Sequence, residues 1–87
     1  MPDSENIDVV VVVSGQPQRI KVNVHQTLEV LVRDALRMSG NQGQPPGDWD
    51  LRTEDGRPLD QSTTVEAANL QDGMTLFLSP KTGAGGS

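Results

Sequence analysis

From Ile7 to Val13 the chain is almost unbroken β-branched sequence, which loses little by being extended and packs well on a pleated surface. This is the first predicted strand. Ser14-Gly15-Gln16-Pro17-Gln18 supplies turn chemistry, and Arg19 to Val24 then alternates polar and apolar residues, so the two runs read as a β-hairpin. Side chains alternate between faces, so Ile20, Val22 and Val24 point one way and Arg19, Lys21 and Asn23 point to water. Behind Thr27, a predicted N-cap, Leu28, Leu31, Val32, Ala35 and Leu36 recur at helical spacing. Glu29 in the first turn and Arg37 in the last complement the helix dipole. Ser39-Gly40-Asn41 ends the helix after about three turns.

A polar connection runs through Gly47, and Asp48 to Thr53 is a second, weaker extended segment. Asp55-Gly56 is a dipeptide favoured by tight hairpins, after which Pro58-Leu59 resumes the chain. Thr63 or Thr64 is placed to cap a short helical turn ending near Leu70. Asp72-Gly73 is another turn, and Met74 to Leu78 forms the last strand, stopped by Pro80. The predicted order is strand, strand, helix, strand, a short strand or turn, and a final strand. Their apolar faces close into one core two layers thick, an α+β domain over residues 7–79. The polar, acidic residues 1–6 are expected to be disordered, and the Gly-rich residues 80–87 to form a flexible tail.

Composition narrows the function classes. A chain of 87 residues with 33% hydrophobic positions has material for one core only. Twelve acidic against seven basic residues, a net charge of −5, work against binding of phosphate backbones, so nucleic acid is not an expected partner. The absence of cysteine excludes disulfides, thiolate metal sites and a cysteine nucleophile in this chain, and fits a reducing compartment. The longest apolar run, Val9 to Val13, is five residues, far short of the roughly 20 that span a bilayer. The first residues carry no basic and apolar export pattern, so no membrane association and a cytoplasmic location are expected.

Candidate catalytic chemistry is sparse. His25 is the lone histidine, with no second histidine or cysteine to complete a metal site. Asp48, Asp50, Glu54 and Asp55 gather carboxylates without the glycine-spaced loop of a calcium site, and read as a solvated acidic face. Ser14, Ser39, Ser62, Ser79 and Ser87 lack an activating context. Trp49 suits either an interface anchor or the edge of the core. The chain is therefore not expected to be an enzyme, and no catalytic residue, metal or cofactor is assigned to it.

The element order and three local sequences together resemble the ubiquitin superfamily. These are Asp55-Gly56-Arg57-Pro58-Leu59, Asn69-Leu70-Gln71-Asp72-Gly73 and Gly85-Gly86. The resemblance implies a β-grasp fold, a mixed sheet of four to five strands packed on one helix, with the first and last strands parallel at its centre. More narrowly, the chain resembles bacterial ubiquitin-like modifiers encoded beside activating, conjugating and deubiquitinating-type enzymes. By that resemblance Gly86, preceded by Gly85, is the conjugated residue, and Ser87 is removed first by a metal-dependent peptidase on another chain. Partners would be activating and conjugating enzymes, that deconjugating peptidase, and target proteins. The tail departs from the ubiquitin pattern, because Thr82-Gly83-Ala84 precedes the glycine pair where ubiquitin has basic and apolar residues. The same residues would also serve as a plain linker or loose end. Glycine suits the chemistry, since without Cβ it threads a narrow channel and exposes its carbonyl. Eight extended residues from Ser79 to Gly86 reach about 26 Å.

Strand alternation isolates a second candidate. With Ile7, Val9, Val11 and Val13 facing the helix, Asp8, Val10 and Val12 face outward. With Met74, Leu76 and Leu78 inward, Thr75 and Phe77 face outward. In a β-grasp fold Val10, Val12 and Phe77 then form one apolar patch, at the position from which the superfamily offers its partner-binding surface. That patch fits partner binding or self-association into a homo-oligomer, and valine is also simply favoured in central strands. Lys21 and Lys81 are the only lysines, and so the candidate side-chain acceptors if copies are linked into chains.

Overall fold

The computed structural model describes residues 5–41 and 43–81. Strands β1 (Asn6–Val13) and β2 (Gln16–Asn23) are followed by helix α1 (Leu28–Met38), then β3 (Trp49–Thr53), β4 (Pro58–Leu59) and β5 (Thr75–Pro80). They form a five-stranded sheet in the order β2-β1-β5-β3-β4. β1 and β5 run parallel at its centre, and the other pairs are antiparallel. One helix lies on one face of this mixed sheet, as the β-grasp resemblance implies.

The first hairpin turns more tightly than its composition predicts. Ser14 and Gly15 have φ of 51° and 85°, a two-residue turn whose twist matches that of the flanking strands. Gln16 therefore pairs with Val13 and Pro17 with Val12, inside β2 rather than in the connection. Proline is tolerated there because β2 is an edge strand. The sheet also exceeds the expected 7–79 limits at both ends. β1 starts at Asn6, β5 runs to Pro80 opposite Trp49, and the Lys81 N–H donates to the Asp48 carbonyl at 2.9 Å.

Thr27 stands at the N-cap of α1, but its side chain makes no capping hydrogen bond. The free N–H groups of Leu28 and Glu29 instead donate to the carbonyls of Thr63 (2.8 Å) and Gln61 (3.0 Å). A remote segment thus satisfies donors that the helix itself leaves without partners. The Gln61 side-chain amide donates to the carbonyls of Pro46 and Trp49, both at 2.9 Å, tying the same segment to a 3-10 turn at Pro46–Asp48 and to β3. Asp60 holds its shape by accepting from the Ser62 N–H (2.9 Å) and hydroxyl (2.7 Å). Thr64 caps the following turn, its hydroxyl accepting from the Ala67 N–H at 3.1 Å.

The core is the apolar stripe of α1 against the inner face of the sheet. Leu28, Leu31, Val32, Ala35 and Leu36 pack with Val9, Val11, Val13, Ile20, Val22, Leu51, Leu76 and Leu78, and Val65 and Leu70 close the end. Ile7, Val24 and Met74 are partly buried against it. Trp49 is 6% exposed and belongs to the core edge rather than to an interface.

The central pair is pinned before β5 begins. The Asp72 carboxylate accepts the Asp8 N–H at 2.8 Å, and the Gly73 N–H donates to the Asp8 carbonyl at 2.6 Å. Gly73 has φ 86°, a conformation that L side chains disfavour. This gives the Asp72-Gly73 dipeptide its physical role.

Two measurements check this account. Leu31→Ala should destabilise the domain by about 2–5 kcal/mol in urea unfolding, the range for a fully buried leucine; a loss under 1 kcal/mol would mean that the helix is not the core's second layer. The hydrogen bonds from the Ser62 backbone, then its hydroxyl, hold the Asp60 carboxyl below its ordinary value of 3.8. A depressed folded value stabilises above the unfolded one and is lost as pH falls through the folded one. The stability gap between the wild type and Asp60→Asn should therefore be constant from about pH 7 to 5 and shrink below about pH 4. A gap that stays level to about pH 2.5 would contradict the Ser62 contacts.

Candidate functional site

α1 covers one side of the sheet, so the other side is where strand alternation leaves side chains unpacked. Val10 lies opposite Arg19 of β2 and Thr75 of β5, and Val12 opposite Pro17 and Phe77. Phe77 in turn lies opposite Arg52 of β3. Val10 and Val12 are half-buried and Phe77 is 42% exposed. The three apolar residues proposed from the strand pattern are thus neighbours across the central parallel pair.

The rim was only partly legible. Arg19 and Lys21 alternate outward as expected, with Lys21 opposite Asp8 at one corner. Arg52 was missed, because its place beside Phe77 depends on β3 pairing with β5, strands distant in sequence. The signal was there in the alternation of β3, where buried Trp49 and Leu51 leave Asp50 and Arg52 outward.

Charge elsewhere is locally matched. Arg33 pairs with Glu29 (3.4 Å), Arg37 with Asp34 (3.1 Å) and Arg57 with Asp55 (3.8 Å). Asp55 accepts from the Thr53 hydroxyl, which is the first cause holding its carboxyl below the ordinary range. It therefore shapes the turn between β3 and β4, alongside Gly56, whose N–H donates to the Thr53 carbonyl at 2.9 Å. His25 is exposed, 3.8 Å from Glu66 and 4.0 Å from Glu5. Among the described residues no group of three or more His, Cys, Asp or Glu is gathered as a metal site. No described helix is long and apolar enough to cross a membrane.

Both lysines are exposed, Lys21 on the outer face of β2 and Lys81 just past β5. Gly85, Gly86 and Ser87 lie outside the described residues. β5 continues to Pro80, and the Lys81 N–H donates to the Asp48 carbonyl, so the described part of the chain stays on the sheet to within five sequence positions of Gly86.

Residues 2–86 match the sequence profile of a family described as a protein of unknown function (DUF2604). The uncharacterized protein y4jI of Sinorhizobium fredii is 36% identical over 81 residues, which is 93% of this chain. The chain spans 62% of that relative's length. Among solved structures, a de novo design based on ubiquitin matches with a TM-score of 0.79 at 23% identity, over 98% of this chain and all of the design. Caldiarchaeum subterraneum ubiquitin matches at 0.72 and 23%, over 92% of this chain and 99% of its own. The C-terminal ubiquitin-like domain of human 2'-5'-oligoadenylate synthetase-like protein matches at 0.76 and 25%, over 100% and 97%. The fold is ubiquitin-like β-grasp.

If the outer face is a surface and not a structural element, Phe77→Asp should change stability by no more than about 1 kcal/mol, and Val12→Asp should cost about 1 kcal/mol through lost strand propensity. Thermal unfolding of both variants reads this directly. Global unfolding of Phe77→Asp would show that the phenylalanine supports the fold.

Proposed function

We propose that this chain, which belongs to the DUF2604 family of proteins of unknown function, is a ubiquitin-like protein modifier whose Gly86 carboxylate is joined to amines of target proteins. The observation that supports the reading is a ubiquitin-like fold with Gly85-Gly86 only a few residues beyond its central last strand. Hydrolysis of the Gly86–Ser87 bond by a separate peptidase frees the carboxylate. A separate ATP-dependent enzyme then adenylates it, releasing pyrophosphate, and an enzyme thiol displaces AMP to form a thioester. A target amine finally displaces the thiol and leaves an isopeptide bond. The domain supplies recognition, and the chemistry resides in the activating and conjugating enzymes. Lys21 and Lys81 are available as acceptors in chains of copies.

A second reading is a noncovalent β-grasp interaction or self-assembly module, favoured by one observation. Phe77 is exposed beside half-buried Val12 on the face that the helix leaves open.

Intact-mass analysis in the native cell tests the modifier. A free form ending at Gly86 and adducts carrying a Gly-Gly remnant on target amines are expected, and deletion of Gly85 and Gly86 should abolish the adducts while the thermal unfolding curve is retained. Adducts that persist after the deletion, or a single unprocessed species in cells that contain the activating enzymes, would overturn it.

A further inference from the structure

The chain carries net negative charge, yet its basic residues are sorted by face. Those on the helix and in the turn after β3, Arg33, Arg37 and Arg57, each have a carboxylate within 4 Å. Arg19, Lys21 and Arg52, all exposed on the outer sheet face, form no ion pair among the described residues. Lys21 has Asp8 opposite it in register, whereas Arg19 stands opposite Val10, and Arg52 opposite Phe77 and Pro58. The two arginines therefore bracket the apolar strip from opposite sides, with no anion opposite either one.

We infer that this face docks an acidic, extended segment of a partner protein, its apolar side chains on Val10, Val12 and Phe77 and its flanking carboxylates on Arg19 and Arg52. The inference rests on the noncovalent reading of the face and is independent of Gly86. The geometry sets the spacing. Neighbouring strands lie about 4.8 Å apart, and Arg19 on β2 and Arg52 on β3 are three strand intervals away and two residues offset along the strands, so their backbones are about 16 Å apart. An extended segment advances about 3.3 Å per residue, so acids bracketing about four apolar residues match the arginines. Guanidinium groups suit the task, because their planar donor forks take carboxylates bidentately and are only weakly hydrated. A phosphate backbone fits less well, since two cations separated by an apolar strip do not make a continuous basic track.

The test is selection of a phage-displayed library of random 16-residue peptides against the full chain. Selected peptides should carry Asp or Glu on both sides of a short Leu, Ile, Val or Phe run. They should shift the amide resonances of Val10, Val12, Arg52 and Phe77. Arg19→Glu/Arg52→Glu should weaken binding about tenfold, the scale of two solvent-exposed ion pairs, with an unchanged unfolding curve. Peptides with their acids changed to lysine should regain affinity for the double variant. Neutral peptides that bind the face equally well would overturn the acidic partner and leave the docking surface standing. Failure to select any peptide, or binding elsewhere, would overturn both. Binding of phosphatidylglycerol vesicles through the same arginines, with no peptide selected, would replace the protein partner by a lipid surface.

Discussion

The parallel pairing of β1 with β5 is the constraint from which the remaining structure follows. Parallel neighbours cannot be joined by a tight turn, so everything between Val24 and Met74 serves as one long crossover, with α1 laid over the sheet on the way. Contacts so distant in sequence need their own register device. The turn before β5 supplies it by closing two hydrogen bonds onto the backbone of Asp8. A slip of one residue there would carry Phe77 into the core and turn Leu76 and Leu78 to solvent, because side chains alternate with a period of two.

That register creates the two faces. α1 has 11 residues and one apolar stripe, enough to cover the inner layer of valines and leucines. The outer layer is left with short and aromatic apolar side chains at its centre and basic groups beside them. Ion pairing within the helix and turns balances local charge, whereas the strands place Arg19 and Arg52 opposite apolar neighbours. The same central strand that contributes Phe77 leads towards the glycine pair, so a recognition surface and a reactive terminus would share one element. Such sharing suits a modifier, whose partners must hold the domain while handling its last residues.

Much of this was legible from local pattern. The β-branched run at Ile7–Val13, the helical spacing of Leu28 to Leu36 and the Asp-Gly turns are short-range signals, and each corresponds to an observed element. The inward and outward assignment of Val10, Val12 and Phe77 followed from alternation alone. Composition misplaced Pro17, since a proline near a glycine reads as turn whether or not the strand beside it lies at an edge. Thr27 stands at the N-cap, as its sequence position predicts, without a side-chain capping hydrogen bond. The carbonyls that satisfy the helix come from Gln61 and Thr63, which only the folded chain brings to that end.

The sequence by itself determined the elements, their apolar faces and the turn residues, because these depend on neighbours within a few positions along the chain. Only the tertiary structure decided that Arg52 stands beside Phe77, that Gln61 joins helix, 3-10 turn and β3, that Trp49 is buried, and that β5 continues to Pro80. Each of those arises from pairing between segments remote in sequence, where no local preference of backbone or side chain specifies which partner arrives.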